Sequence, residues 1–395
     1  MHHPLLIKYM DFIKRNLRRN ILNYKGRKSP RKLIAIESDD WGSIRMPSKD
    51  VFEALKKQQI PVNHCDYCQN DSLASEDDLS ALFETLQGFQ DIHGNHPKIT
   101  ANTVVANPDF DKIRESDFSE YHYEPFTETL KRYPNHSNAF SLWKEGMEKG
   151  LFIPQFHGRE HVNIELWLQE LQNPDSVFRT LFDYRMWGLG GKQAVKDGIN
   201  IQASFDTNHY LTINTHKQIL KEGLDVFASI FGYRSRSFIA NNFIYHSDLN
   251  ATLKEAGVNL IQGMKYQKHP RLGQKKRKMI RHYTGEENAH NQKYLVRNCV
   301  FEPSQMPPNH DSVDSCLQDI ANAFFWNRPA IITAHRLNFV SQLNPANRNN
   351  NLMLLKKLLI EIQKKWPEVE FLASHELGEL IEAKINSKGK QGLVD

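Results

Sequence analysis

Cysteine is scarce, at four in 395 residues. Cys65 and Cys68 make a single CxxC pair with His64 beside it, and Cys299 and Cys316 stand far apart. A structural zinc cluster needs further ligands at close spacing, so these four read as free thiols. Long apolar runs are also missing. No stretch approaches the roughly 18 uninterrupted apolar residues that a membrane-crossing helix requires. Residues 1–24 carry Asp11 and several arginines through their apolar positions, which does not suit the apolar core and cleavage site of a signal peptide. The expectation is therefore a soluble, cytoplasmic protein. No segment is rich enough in Gly, Ser or Pro to act as a linker, and no nucleic-acid-binding module is recognisable.

The charge is unevenly spread. Residues 1–32 hold ten Lys or Arg against the single acid Asp11, a net of +9, which leaves −4 for the rest of a chain whose total is +5. Leu6, Met10, Ile13, Leu17, Ile21 and Tyr24 fall on one face of a helix over this segment. Such a basic amphipathic helix either docks on its own domain, the reading favoured here, or lies on the inner face of an anionic membrane through residues 1–28. A second basic run over residues 268–281, interrupted by Pro270 and Gly273, reads as a loop.

Residues 33–36 are four consecutive apolar residues with polar neighbours on both sides, the pattern of a strand buried on both faces of a parallel sheet. Asp39 and Asp40 follow. Inside a regular strand adjacent side chains point to opposite faces, so the two carboxylates belong where the strand ends and the chain turns. Further strands are expected at residues 99–108, 151–156, 198–206, 237–242, 259–266, 330–335 and 369–374, with helices between most of them. Residues 294–301 look like a strand at the side of this repeat. Seven or eight strands alternating with helices imply a (β/α) barrel over residues 33–395, preceded by the basic helix of residues 1–32.

Polar residues recur at the expected strand ends: Asp39 and Asp40, His157 and His161, Asp206, His335 and His375. In a parallel barrel these ends share one face, where ligands bind. Two histidines at i and i+4 with one carboxylate make the donor set of a catalytic zinc or similar divalent ion. With 18 histidines in the chain, about one such pair is expected by chance, so its position after a strand carries the weight. One carboxylate would hold the metal and its neighbour would take a proton from water, with His335 opposite as proton donor to the leaving group.

These motifs resemble the polysaccharide deacetylases of the carbohydrate esterase class. Glu37-Ser38-Asp39-Asp40-Trp41 is similar to their Thr-Phe-Asp-Asp-Gly, His157-Gly158-Arg159-Glu160-His161 to their His-Ser/Thr-x-x-His, and residues 332–335 to their apolar strand ending in Leu-x-His. The resemblance implies an incomplete or distorted barrel. It also implies Asp39 as general base, Asp40, His157 and His161 as metal ligands, and His335 as general acid. The reaction implied is metal-assisted hydrolysis of an acetyl group from a sugar, usually an N-acetyl amine. The family's base-orienting arginine has no firm counterpart, with Arg159, Arg234, Arg236 and Arg336 all candidates, and its later Asp-Trp motif is absent. Residues 109–125 and 267–293 would shape a carbohydrate cleft walled by Tyr121, Tyr123, Phe126, Tyr266 and Tyr283. Other readings are an H-x-x-E-H metalloprotease with Glu160 as base, a carbohydrate-binding barrel without catalysis, and a metal-free glycosidase using Asp39 and Asp206.

Overall fold

The computed structural model describes residues 4–389. Its centre is a parallel sheet of eight strands: β1 (Leu33–Trp41), β2 (Ile99–Thr103), β3 (Phe152–Phe156), β4 (Ser237–Phe238), β5 (Leu260–Gly263), β6 (Lys293–Val296), β7 (Cys299–Val300) and β8 (Ala330–His335). Their order is β6-β5-β4-β3-β2-β1-β8-β7. The sheet curls through 259° and stays open, an incomplete (β/α) barrel. A ninth strand, β9 (Glu370–Leu372), pairs with Leu33–Ala35 of β1, below the point where β2 takes over at Ile36. The strongest apolar runs behave as their composition dictates: every residue of β1 is buried, and β8 is buried up to its last residue.

The two edges of the sheet meet in the chain at one dipeptide. Arg297 and Asn298 separate β6, which pairs with β5, from β7, which pairs with β8. The Arg297 amide donates to Gly263 and the Asn298 amide to Ile331. Residues 294–301 therefore belong to the main sheet as two strands, where the sequence suggested one strand beside it.

Three other expectations change. Residues 198–206 form no sheet strand: Val195–Lys196 and Ile199–Asn200 make a small antiparallel hairpin, and the chain then coils. Ile201, Ala203 and Phe205 alternate in the sequence as strand residues would, but residues 201–207 are all buried in turns, with the Asp206 carboxylate accepting from the Asn200 amide at 2.8 Å. The basic run is a loop only over residues 270–277, since its ends lie in the hairpin strands Tyr266–His269 and Lys278–Arg281. The sequence also suggests a helix over residues 215–222 closed by Gly223; the structure has instead α2 (Thr212–Phe231), preceded in the chain by α1 (Pro4–Asn23), which ends at Gly232 with φ 76°. Gly223 serves packing instead: a Cβ there would lie 2.8 Å from Phe156 Cζ and 2.9 Å from Arg159 Cβ.

Apolar side chains collect in a large core around the sheet and in a second cluster beyond the C-terminal ends of its strands. The second cluster, with Ile44, Met46, Val162, Trp167, Phe182 and Trp187, anchors the segments that follow β1 and β3. Helix α1 docks through its polar side: Arg19 pairs with Asp319 at 2.7 Å and Asn23 donates to Asn322 at 2.9 Å, both on α3 (Ser312–Phe325). Its apolar face points outward, with Met10, Ile13, Leu17 and Ile21 exposed. No helix among the described residues is long and apolar enough to cross a membrane.

Candidate metal centre

Both carboxylates of the first strand reach one cavity because β1 is irregular there. Its register against β2 shifts between Ser38 and Trp41, a bulge that breaks the alternation of side chains. Asp40 has φ 73°, a left-handed conformation that is costly for a residue other than glycine and is concentrated at functional sites. Gly42 follows with φ 82°, and a Cβ on it would sit 2.3 Å from the Val104 carbonyl oxygen.

His157 and His161 leave the end of β3 in an irregular segment held by backbone hydrogen bonds from Val105 to Gly158 and from Ala106 to Arg159. His157 Nε2 lies 3.3 Å and His161 Nε2 3.2 Å from Asp40 Oδ1. One ligand atom from each of the three residues lies within 4.8 Å of the others, a buried cluster that can coordinate a divalent metal. The donor chemistry fits. His157 Nδ1 is 2.9 Å from the Ile239 carbonyl, so it carries the proton and leaves the Nε2 lone pair facing Asp40. Burial holds the His161 imidazole below its ordinary pKa and hence neutral. Burial pushes the Asp40 carboxyl up, but the two histidines outweigh it and hold it well below the usual range. The His161 ring stacks on Trp187, with 5.3 Å between centroids.

Asp39 is bound on both oxygens. Arg297 Nη1 donates to Oδ2 at 2.7 Å and Nη2 to Oδ1 at 2.5 Å, while Asn102 Nδ2 reaches Oδ1 at 2.7 Å. The same guanidinium donates through Nε to Glu37 at 2.6 Å, and Ser374 supports Glu37 from behind. Burial would raise the Asp39 carboxyl, but Arg297 holds it well below the usual carboxylate range. Opposite Asp39 in the β1–β8 register is His335, its Nε2 3.6 Å from Asp39 Oδ2. Its Nδ1 is 2.6 Å from Glu302 Oε1, and Asn338 holds the other Glu302 oxygen at 2.7 Å. Burial pulls the His335 pKa down, Glu302 together with the Asp39 and Asp40 charges more than reverses this, and the net is a rise to about 10.

Asp39, Asp40, His157, His161 and His335 thus line one cavity of about 330 Å³. Other strand-end residues do not join them. Asp206 is closed off by Arg277, and His375 opens helix α5 (Ser374–Gly389), which follows α4 (Pro345–Lys365), away from the cavity. Glu160 is buried against Arg159 at 2.6 Å, outside the cavity, on a segment that is not helical. Of the four arginines considered for orienting the base, Arg159 serves Glu160, Arg234 faces Asp225, Arg236 faces Glu379, and Arg336 grips Asp71 with two bonds of 2.9 Å. The arginine that clamps Asp39 is Arg297. The expected aromatic walls lie elsewhere: Phe126 is in the main core, Tyr121 and Tyr123 face Arg159, and Tyr266 and Tyr283 do not reach the cavity. Tyr67 and Phe243 line it instead, the Tyr67 ring 5.6 Å from that of His335. The signal for Arg297 and Glu302 was present as charged residues bracketing the apolar run of residues 299–301, but only the bend at the sheet edge places them.

Fold and site together define an incomplete (β/α) barrel with a metal-capable Asp-His-His centre. No protein-family model and no curated protein matches the chain. Among solved structures, one described as a polysaccharide deacetylase from Mycobacterium smegmatis is similar at 11% identity and a TM-score of 0.44, covering 90% of this chain and 92% of that one. A second so described, from Pseudomonas aeruginosa, gives 9% and 0.42, with 89% and 91% covered. The 4-alpha-glucanotransferase of Thermococcus litoralis gives 10% and 0.44, and there the match covers 88% of this chain but 40% of the other. These likenesses concern chain path and assign no residue a role.

Proposed function

We propose that this protein is a metal-dependent hydrolase that removes an acetyl group from an N-acetylated or O-acetylated sugar of a polysaccharide or glycolipid precursor. The observation that carries the reading is the assembly, in one cavity, of a metal-capable triad, an arginine-clamped carboxylate and a carboxylate-backed histidine. Asp40, His157 and His161 would hold the ion, with zinc the natural occupant for two imidazoles and a carboxylate. Such an ion polarises the acetyl carbonyl and acidifies water at the site. Asp39, kept ionised and fixed in direction by Arg297, accepts the proton from the attacking water. His335, kept protonated by Glu302, faces Asp39 across the cavity and donates through Nε2 to the departing amine or alcohol. The motif resemblance supports the acetyl group as the one removed. The metalloprotease alternative is weakened because Glu160 is spent on Arg159, and the glycosidase alternative because Asp206 is spent on Arg277.

The outward apolar stripe of α1, set in the most basic segment of the chain, supports a location at the inner face of a membrane, where a lipid-linked precursor would be reached. The test is acetate release from acetylated sugars by protein loaded with zinc, beside Asp39→Asn. Release that depends on both metal and Asp39 supports the reading. A metal-replete protein that releases no acetate across N- and O-acetylated sugars overturns it.

A further inference from the structure

The buried ion pairs around the cavity close on themselves with one exception. Asp39 and Glu37 share Arg297, His335 is backed by Glu302, and Asp71 takes Arg336. Arg45 is left over. It is 6% exposed, lines the cavity beside Asp40 and His161, and its Nε has no hydrogen-bond partner. No carboxylate among the described residues lies within ion-pairing distance of it. Every other buried arginine donates to a carboxylate or a backbone carbonyl, as Arg328 does to Asn23.

A buried guanidinium without a counter-ion is costly, and structures tolerate one where a ligand supplies the missing charge. Arg45 is also fixed for that purpose. Its guanidinium lies 4.8 Å from the centroid of Trp187 and 5.4 Å from that of Tyr67, so two aromatic faces hold it without using its charge. Trp187 donates its indole N–H to the Ile44 carbonyl, next to Arg45 in the chain, which ties this wall to the arginine's own backbone. Lys268, exposed on the 266–281 hairpin, adds a second positive charge to the lining. Inside the protein the Cys65 and Cys68 thiols, both free, and at longer range the Asp40 and Asp71 carboxylates act on Arg45, and a hydrogen bond from Cys68 together with the Arg45 charge favours a Cys65 thiolate.

We infer that Arg45 is an anion-recognition residue, and that the sugar acted on here carries a carboxylate or phosphate group bound by the Arg45 guanidinium beside the metal centre. That the ligand is a sugar rests on the deacetylase reading, but the anion site stands on the geometry alone. Guanidinium presents its N–H donors in a planar fork that matches either oxyanion. The neutral ring atoms of the same substrate would face Tyr67 and Phe243.

The experiment compares binding of N-acetylglucosamine, its 1-phosphate and the corresponding N-acetylated uronic acid to zinc-loaded protein by calorimetry, with acetate release measured on the same three. At least one charged sugar is expected to bind about 10- to 100-fold more tightly than the neutral one, the range for a charge-assisted contact in a desolvated site. Which of the two does so tells phosphate from carboxylate. Arg45→Met should abolish the preference, Arg45→Lys should keep part of it, and Cys65→Ser should leave it intact. Equal binding of charged and neutral sugars by the wild type overturns the inference, and that result needs no variant to fold. A preference surviving in Arg45→Met overturns it too, since the anion would then sit on the metal or on Lys268. If Cys65 is the counter-ion, the wild type shows no preference and Cys65→Ser gains one, which also overturns it. Charge preference without acetate from any sugar sinks the deacetylase reading and leaves the anion site. Equal binding with acetate released does the reverse.

Discussion

Arg297 and Asp39 face each other side-on, two guanidinium nitrogens on two carboxylate oxygens, across the seam where the edges of the open sheet meet. The arginine is wholly buried and holds Glu37 as well. Arg297→Met leaves two carboxylates buried without their cation, and removing one partner of such a network costs about 3–5 kcal/mol. The variant should lose that much stability in urea denaturation and lose activity. Adding Glu37→Gln and Asp39→Asn should restore much of the stability but none of the activity. Full stability in the single variant would show that the clamp is not what holds these strands in place.

The metal centre makes a separable prediction. Asp40→Ala and His157→Ala should each remove the approximately one equivalent of divalent ion expected in the purified protein, read by elemental mass spectrometry. Asp39→Asn should keep the ion and cut turnover about 10²- to 10⁴-fold, the usual weight of a general base. Glu160→Gln should leave turnover near wild type if it folds. A loss in Glu160→Gln matching that of Asp39→Asn, with fold and metal retained, would favour the protease reading.

The barrel was legible from the sequence because strands buried on both faces read as near-continuous apolar runs, and residues 33–36 and 330–332 are such runs. The meeting of Asp40 with His157 and His161 follows from topology, since parallel strands end on one side. Residues 198–206 misled because Ile201, Ala203 and Phe205 alternate as in a strand while being buried in coil. Arg297 and Arg45 could not be placed from spacing. Arg297 depends on a bend at the sheet edge, and Arg45 on two aromatic rings brought from residues 67 and 187.

His335 ties the pH dependence to Glu302. Its pKa is raised, to about 10, so the acid form, which in the proposed mechanism donates to the leaving group, is present below that pH and lost above it. The same sign applies to stability: the His335–Glu302 pair contributes fully below the ordinary histidine pKa and fades as pH rises towards 10. Glu302→Gln removes the negative charge, and the alkaline limb of kcat should move down by about one to two pH units. An unmoved limb in an active Glu302→Gln enzyme would assign that limb to another group.

Helix α1 is fastened to the barrel by Arg19 and Asn23, so its exposed face is not free to turn inward. Met10, Ile13, Leu17 and Ile21 are between 39% and 59% exposed on a segment of net charge +9. Apolar burial and attraction to anionic headgroups add in such a helix. The protein should therefore sediment with vesicles containing about one third phosphatidylglycerol and much less with neutral phosphatidylcholine vesicles. Raising the salt should weaken the binding by screening. Leu17→Glu should abolish it at unchanged melting temperature, because the Leu17 side chain is among the most exposed on the helix. Equal sedimentation with both vesicle types, or none with either, would remove the membrane from the proposal and leave the stripe to other contacts.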